Sequence, residues 1–588
     1  MRDGVRLDTL VVAPNDATRS YPILLVRTPY DPAAKWMNIE PEFLVARYIF
    51  VTQSVRGRYG SEGVFVQMRP QQDIKGTRAD VDESSDAFDT IDWLVKNIPR
   101  NNGKVGLRGI SYNGFYAAAG MIDAHPALKA VSPQAPQADW FAGDDAHHNG
   151  AFLLASTFAW LASCDRHSTG SRVCGPPFVP FTPDGYRFFL DMGPLGNADA
   201  RYLHGDSPEW EVTMQHETYD ELWQRRNLLP HLHDIHTAVL AVSGWYDANN
   251  LYGALHVFDA VRRGSPGTPS TLVLGPWTHG QWAADGGESI RSLHFGSATA
   301  TQFIRDIELP FFEFHLKGNG APNLPVAQVF DTGRDVWRSF HAWPPMEAVT
   351  RPLYLRPQHR LSFEPPAAEE SPAAYDEYVS DPARPVPFVP DHGFDMDDDY
   401  MTRDQRFAAG RSDVLLYQTE PLTDDVTVIG PIRSHLVVSS SGTDSDWVVK
   451  LIDVHPAPAR SGAKDGRGIH PKSRPEAFGG FLELVRGDVM RSKFRNGLSA
   501  PEPLQPNRPT PIDFSMSDVY HTFKRGHRIM VQVQSSWFPL IDLNPQRFLN
   551  IYAAKAADFD KATQRVFHAP TQDSRLDLLV LPAEPIEH

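Results

Sequence analysis

A serine, an aspartate and a histidine, each lying just past a short apolar run, are the residues of this 588-residue chain best placed to do chemistry. Ser111 sits in Gly109-Ile110-Ser111-Tyr112-Asn113-Gly114, between the run Lys104–Leu107 and the alanine-rich stretch Gly114–Ile122. A strand, a sharp turn and a helix in that order would hold its hydroxyl at the C-terminal edge of a sheet. The usual G-x-S-x-G spacing has a glycine where Asn113 stands, and asparagine is among the few residues that tolerate left-handed backbone angles. Asp247 closes Gly244-Trp245-Tyr246-Asp247 after the run Ala238–Ser243, and His279 closes Gly275-Pro276-Trp277-Thr278-His279 after Thr271–Leu274. A serine hydroxyl becomes a nucleophile when a histidine takes its proton, and that histidine needs a carboxylate to fix its tautomer. Taken singly, Asp247 also reads as a helix cap and His279 as a loop residue beside Trp277. Taken together, the three predict acyl transfer through a covalent intermediate.

Such chemistry needs two donors for the oxyanion. The N–H of Tyr112, next to the nucleophile, is the natural first one. The second normally comes from a glycine-rich loop after an early strand, but that place reads Arg27-Thr28-Pro29-Tyr30, with no glycine and a proline that has no N–H. A side-chain donor is expected instead, the phenol of Tyr30; the plain alternative is an aromatic that lines the pocket.

The elements that must position these groups follow from periodicity. Leu7–Ala13, Tyr21–Arg27 and Tyr48–Gln53 read as strands, and Asp82–Lys96 as a helix with acidic residues crowding its first turn. After the serine turn come a strand at Leu128–Ser132 and then, some way on, the strand Ala238–Ser243, a helix at Leu251–Val261, the strand Thr271–Leu274 and a closing helix at Thr301–Lys317. Strands alternating with helices predict a parallel sheet with helices on both faces, and the order Ser111, Asp247, His279 at strand C-terminal ends is that of α/β-hydrolases. Roughly a hundred residues separate two of these strands where a short loop would do, so they are expected to form a helical cap built on Ala151–Leu161, Gly185–Met192 and Tyr219–Leu229. From Leu353 onward, short β-rich runs such as Val426–Ile429, His435–Ser439, Trp447–Val454 and Arg528–Val533 between Pro, Gly and Asp loops predict a sandwich or jelly roll.

Composition bounds the rest. With 41% hydrophobic and 22% charged residues, the chain is of ordinary soluble make-up, and no stretch reaches the ~18 apolar residues of a membrane span. A net charge of −16 and the lack of any Lys/Arg cluster exclude a general nucleic-acid binder. Cys164 and Cys174, close in sequence, allow a local disulfide or two free thiols equally, and neither sits in a metal-ligand pattern. The acidic run Asp395–Asp399 lacks calcium-loop spacing and reads as a solvated loop. No signal peptide is present. The opening Met1-Arg2-Asp3-Gly4-Val5 reads as the turn of a hairpin whose first strand is missing, so this says little about location.

Thr28-Pro29-Tyr30, Arg56-Gly57-x-x-Gly60-Ser61-Glu62-Gly63, Gly109-x-Ser111-Tyr112-x-Gly114, Gly244-Trp245-Tyr246-Asp247, Gly275-Pro276-Trp277-x-His279 and Gly526-His527-Arg528-Ile529 together resemble the cocaine-esterase-like family of serine hydrolases, of X-Pro dipeptidyl-peptidase type. Asp123-Ala124-His125-Pro126, Gly143-Asp144-Asp145, Ser441-Gly442-Thr443-Asp444 and Gln534-Ser535-Ser536-Trp537-Phe538-Pro539 resemble its α-amino acid ester hydrolases. The resemblance implies an α/β-hydrolase domain over 1–145 and 236–350, a helical cap insertion over 146–235 and a C-terminal β jelly roll over 351–588. It also implies the triad and the Tyr30/Tyr112 oxyanion hole, a periplasmic or secreted location, and a homotetramer. The amino ester hydrolases hold their substrate's ammonium among three carboxylates; Asp145 matches the first, and Asn249 and Asn250 stand where the other two should be.

The expected function is therefore a serine hydrolase of carboxylic esters, extending to activated amides, that acts on small molecules without cofactor or metal. The alternatives are an α-amino acid ester hydrolase or β-lactam acylase, an X-Pro dipeptidyl aminopeptidase, and a carbohydrate-binding or adhesion protein with an inactive hydrolase domain. Metal hydrolysis through Asp144, Asp145, His147 and His148 is a further rival by residue type, without spaced partners to complete a shell.

Overall fold

Nine strands form the sheet that carries the candidate site: β1 (Thr9–Val12), β2 (Tyr21–Thr28), β3 (Ile49–Ser54), β4 (Asn101–Ile110), β5 (Leu128–Gln134), β6 (Ala238–Gly244), β7 (Ser270–Gly275), β8 (Ala327–Asp331) and β9 (Val336–Phe340). Their spatial order in this computed structural model is β1-β3-β2-β4-β5-β6-β7-β8-β9. The structure describes all residues except 17, 34–38, 167–172, 321–323, 368–373, 392, 394–398, 457–479 and 584–588. β1 runs antiparallel to β3, and the pairs from β3/β2 through β7/β8 are parallel. β3 and β6 are buried along their whole length, which explains why they read as unbroken apolar runs rather than alternating ones. Helix α1 (Glu83–Asn97) starts with a capping box, Asp82 accepting from the Ser85 N–H while Ser85 Oγ accepts from the Asp82 N–H. Helices α2 (Tyr112–Gly120) and α3 (Leu251–Gly264) follow β4 and β6.

The sheet does not end at the helical segment after β7, as the sequence suggests, but continues through β8 and β9. β8 is short, and β9 is an edge strand with mostly exposed side chains and no apolar alternation to reveal it. The helical segment 299–317 alternates α turns with wider π turns at Ile304–Glu308 and Glu313–Lys317, which lets Pro310 sit inside it. Phe303, Phe311, Phe312 and Leu316 from it join Leu24, Val242, Val273 and Trp277 in one buried cluster on the sheet.

The chain divides into two compact units, Met1–Thr182 with Met192–Phe330 and Asp335–Trp343, and Pro344–His588 with Pro183–Asp191 and Asp331–Arg334. The region between β5 and β6 holds helices Leu154–Cys164, Gly185–Met192, Pro208–Gln215 and Glu221–Arg226. Ala151–Phe152, expected to open the first of these, instead pairs with His147–His148 in a two-stranded ladder. Cys164 and Cys174 are joined in a disulfide. Within the second unit, Tyr186 from the helix Gly185–Met192 donates to the Pro385 carbonyl at 2.9 Å and lies edge-on to Phe538. Apart from that helix, the described residues of this unit form strands and short helical turns. Two strands expected at Val426–Ile429 and His435–Ser439 are halves of one strand, Val426–Ser440, interrupted by a bulge between Gly430 and Ile432. Pro431 cannot donate to the ladder and Gly430 takes φ 76°, so the pair looks like a loop in sequence and is a bulge in fact. The acidic run at 395–398 lies outside the described residues. No helix among those described is long and apolar enough to cross a membrane.

Candidate active site

Ser111 joins β4 directly to α2. Its backbone takes φ 65° and ψ −128°, conformational space that L-residues avoid and that a sharp strand-to-helix turn imposes on the residue at its apex. The left-handed residue is thus the serine itself and not Asn113, which is already helical; α2 begins at Tyr112, two residues before the expected start at Gly114. This explains the displaced glycine. A Cβ on Gly114 would collide with the Gln134 carbonyl and come within 2.9 Å of Pro136 Cα, and one on Gly109 would collide with the Asn113 carbonyl. Gly114 is where the helix crosses the end of β5, so it is the position that cannot carry a side chain. Gly114→Ala should force helix and strand apart, at a cost of ~1–3 kcal/mol, and lower Tm by several degrees in a thermal melt. An unchanged Tm would show that the crossing has room to spare.

Gln134, the last residue of β5, ties the serine turn to its surroundings. Its carbonyl accepts the Ser111 N–H at 3.0 Å. Its side-chain oxygen accepts from Trp282 Nε1 at 2.7 Å, and its amide nitrogen donates to Glu308, which in turn pairs with Arg108 from β4. Trp282 lies just past His279. A Cβ placed on Gly280 would lie 3.6 Å from Ile110 Cγ2, so the residue after His279 faces the residue before Ser111.

His279 Nδ1 lies 3.1 and 3.0 Å from the two oxygens of Asp247. The same carboxylate accepts the N–H groups of Asn249 and Asn250, both at 2.9 Å, and the Ser243 hydroxyl at 3.1 Å. Burial alone would raise its pKa; the opposing pull of His279 and of these N–H groups holds it below the ordinary value. Asp247 is therefore an ionised, fully engaged carboxylate that fixes Nδ1 as the donor and leaves Nε2 as the basic nitrogen.

Tyr30 lies two residues past β2. Its N–H is used on Thr28 Oγ1 at 3.0 Å, and Pro29 has none, so the phenol is the donor that Tyr30 itself can offer. The phenol oxygen accepts from Trp160 Nε1 at 3.2 Å. Burial, the largest influence, pushes its pKa up to about 12, so it stays protonated at ordinary pH. Tyr112 is the first residue of α2, where helix geometry gives the N–H no acceptor within the helix. Its phenol is occupied elsewhere, donating to Gln67 Oε1 at 2.6 Å and accepting from the Met68 N–H at 2.9 Å. Trp160 stacks on the Tyr112 ring as well. Nothing in its local sequence marks Trp160; the contact exists only through the chain's tertiary path. Arg58 braces the same turn, donating to the Pro29 carbonyl at 2.8 Å and to the Cys164 carbonyl at 2.9 Å.

Asp145 is close enough to feel His279 and Asp247. Burial, the dominant effect, raises its pKa to about 7, against the attraction of His279 and a hydrogen bond from Asn250. Gln137, which sequence reasoning passed over, also donates to it. Asn250 is the N-cap residue of α3 but makes no side-chain cap bond. Its amide donates to Asp144 at 3.4 Å, and the side-chain oxygens of Asn249 and Asn250 are both buried without a hydrogen-bond partner. Capping the helix is thus not what these two side chains do. Asp144 spends its carboxylate on the N–H groups of Ala138, Asp139 and Gly253. Among the described residues, the grouping of metal-type ligands that stands out lies elsewhere, so Asp144, Asp145, His147 and His148 do not converge on an ion.

A doubly wound sheet carrying a serine on a strained turn after one strand, and a hydrogen-bonded Asp–His pair after two later ones, defines an α/β-hydrolase. The profile of the family described as X-Pro dipeptidyl-peptidase (S15 family) matches residues 3–281, and that of the X-Pro dipeptidyl-peptidase C-terminal non-catalytic domain matches 319–577. The chain belongs to this cocaine-esterase-like family of serine hydrolases. It is 29% identical to the cocaine esterase of Rhodococcus sp. (strain MB1 Bresler), over 99% of this chain and 97% of that protein. Among solved structures it is similar to an α-amino acid ester hydrolase, with 38% identity and a TM-score of 0.90 over 99% of this chain and 95% of that one. An aminopeptidase from the marine sediment archaeon Thaumarchaeota archaeon matches with 34% identity and a TM-score of 0.90 over the same shares.

Proposed function

We propose that this hydrolase cleaves carboxylic esters through an acyl-enzyme on Ser111, with His279 moving the proton, Asp247 orienting the imidazole, and the Tyr30 phenol and Tyr112 N–H holding the oxyanion. Nε2 of His279 takes the Ser111 proton as Oγ attacks the carbonyl and then returns it to the departing alcohol; water, activated the same way, releases the acid. The observation that supports this best is the Asp247 carboxylate, held between His279 Nδ1 at 3.0 Å and the N–H groups that open α3 at 2.9 Å. The test is covalent labelling with a fluorophosphonate probe followed by peptide mapping. An adduct on Ser111 is expected; no adduct anywhere would favour a binding protein with an inert hydrolase fold.

The acyl side is the second question. Similarity to the amino ester hydrolase and the archaeal aminopeptidase, together with Asp145, favours a substrate with a free α-amine as the competing reading. Against it stand Asn249 and Asn250, whose unpaired oxygens can accept hydrogen bonds from an ammonium but bring no charge. A hydrogen bond to a charged group is worth ~1.5–3 kcal/mol, so replacing two carboxylates by amides should weaken ammonium binding by several kcal/mol. The expected result is similar kcat/KM, within roughly tenfold, for phenylglycine methyl ester and phenylacetic methyl ester, rising toward the amino ester in Asn249→Glu/Asn250→Asp. A parent enzyme that prefers the amino ester by roughly a hundredfold would overturn this reading.

What preference exists should depend on pH. Asp145 loses its proton at about 7, so below that it offers the ammonium no charge. An α-amine itself loses its proton near ~7.7. The amino-to-desamino ratio of kcat/KM should therefore peak between these values and fall on either side. A ratio that stays flat from pH 5.5 to 9 would show that Asp145 does not face the acyl group.

A further inference from the structure

The C-terminal unit gathers a second set of ionisable side chains. Asp453 lies on the strand Asp446–Val454, and His455, two residues on, faces the same side. His527 immediately precedes the strand Arg528–Gln534, which pairs with the first so that Arg528 lies opposite Val454. On the other flank, the strand Leu482–Arg491 places Glu483 directly opposite Asp453. Two carboxylates facing each other across adjacent strands repel unless positive charge lies between them. Here imidazoles lie against both of them. His527 Nδ1 lies 2.9 and 3.0 Å from the Asp453 oxygens, His521 Nε2 lies 3.2 Å from one of them, and His455 Nε2 lies 2.7 Å from Glu483. The His455 and His527 rings are 4.7 Å apart, and one ligand atom from each of Asp453, His455 and His527 falls within 4.8 Å of the others.

We propose that Asp453, His455 and His527 form a binding site for one divalent transition-metal ion of the zinc type. Two imidazoles and a carboxylate are the donor set such ions take, with bonds near ~2.0–2.2 Å. Ligands of a tetrahedral ion with those bonds stand ~3.4 Å apart, so an ion can take the place of the proton shared by His527 and Asp453 if their 2.9 Å contact opens by about half an ångström. Glu483 on His455 and His521 on Asp453 are already the outer partners that orient metal ligands. Asp453 is buried, while the side chains of His455 and His527 keep 12% and 13% of their surface exposed, which gives the ion a path from solvent. Such an ion ties together two neighbouring strands of the β unit. Its effect falls on stability, and ester hydrolysis does not need it.

The test uses the whole enzyme, stripped with EDTA and dialysed, titrated calorimetrically with Zn²⁺ alone and melted with and without it, with Mg²⁺ as the comparison ion. The parent should bind one Zn²⁺ per chain at micromolar concentration or tighter and gain several degrees in Tm, with no response to Mg²⁺. His455→Gln should weaken that binding at least ~tenfold while leaving ester turnover at 25 °C within twofold of the parent. Glu483→Gln should weaken it less, and it reports on the site should His455→Gln fold poorly. No saturable Zn²⁺ binding below about 100 µM, or equal affinity in the parent and both variants, overturns the site and assigns any zinc uptake to scattered surface histidines.

Discussion

Ser111→Ala is expected to lose ester hydrolysis almost completely, by ~10⁵–10⁶ in kcat, because the nucleophile and its base act as a unit and neither half retains much of the acceleration alone. The fold should survive. Ser111 makes no side-chain cap bond to α2, so removing its hydroxyl leaves no buried donor orphaned, and alanine keeps the Cβ and hence the same backbone strain at φ 65°. Ser111→Gly separates the two effects further. Glycine adopts this conformation without the Cβ penalty, so that variant should be equally inactive yet more stable than the parent by ~1–2 kcal/mol, with a correspondingly higher Tm. Turnover of an aryl ester and a thermal melt on the three proteins settle both points. Activity of Ser111→Ala within tenfold of the parent would remove Ser111 as nucleophile, and a lower Tm for Ser111→Gly would mean that the turn is not strained as drawn.

Much of this arrangement was legible from local patterns, and what was not shares a physical cause. The strand, turn and helix around Ser111 show in ten residues, and Asp247 and His279 each follow a strand buried enough to read as apolar. Tyr30 becomes a candidate donor by elimination, since Pro29 has no N–H to offer. Which residue carries the strain could not be read: Asn113 looked the more tolerant, but the turn closes one residue after β4, and the strain falls on Ser111 whatever follows it. Gln134 and Trp160 escaped because their partners, Trp282 and Tyr30, lie more than a hundred residues away in the chain. The disulfide between Cys164 and Cys174 was one of two open choices, since spacing alone does not say whether two thiols meet. His455 and His527 have no ligand spacing at all; pairing of their strands brings them together.

Tyr30→Phe should lower kcat by ~10²–10³ and change KM little, the signature of a donor that works mainly in the transition state. The N–H of Tyr30 is committed to Thr28 Oγ1, so the phenol is the donor Tyr30 has left, and Trp160 Nε1 on its oxygen at 3.2 Å fixes the direction in which its proton can point. Trp160→Phe should therefore reproduce a fraction of the defect, several-fold in kcat, by letting the phenol swing. The pH dependence distinguishes a neutral donor from an ionised one. With its pKa pushed up to about 12 by burial, Tyr30 is fully protonated throughout the working range, so the ratio of parent to Tyr30→Phe should be the same at pH 6 and pH 9. An unchanged kcat would mean that another group supplies the second donor. A raised KM with kcat intact would make Tyr30 an aromatic wall of the pocket, and the oxyanion would then rest on the Tyr112 N–H and a partner from another segment.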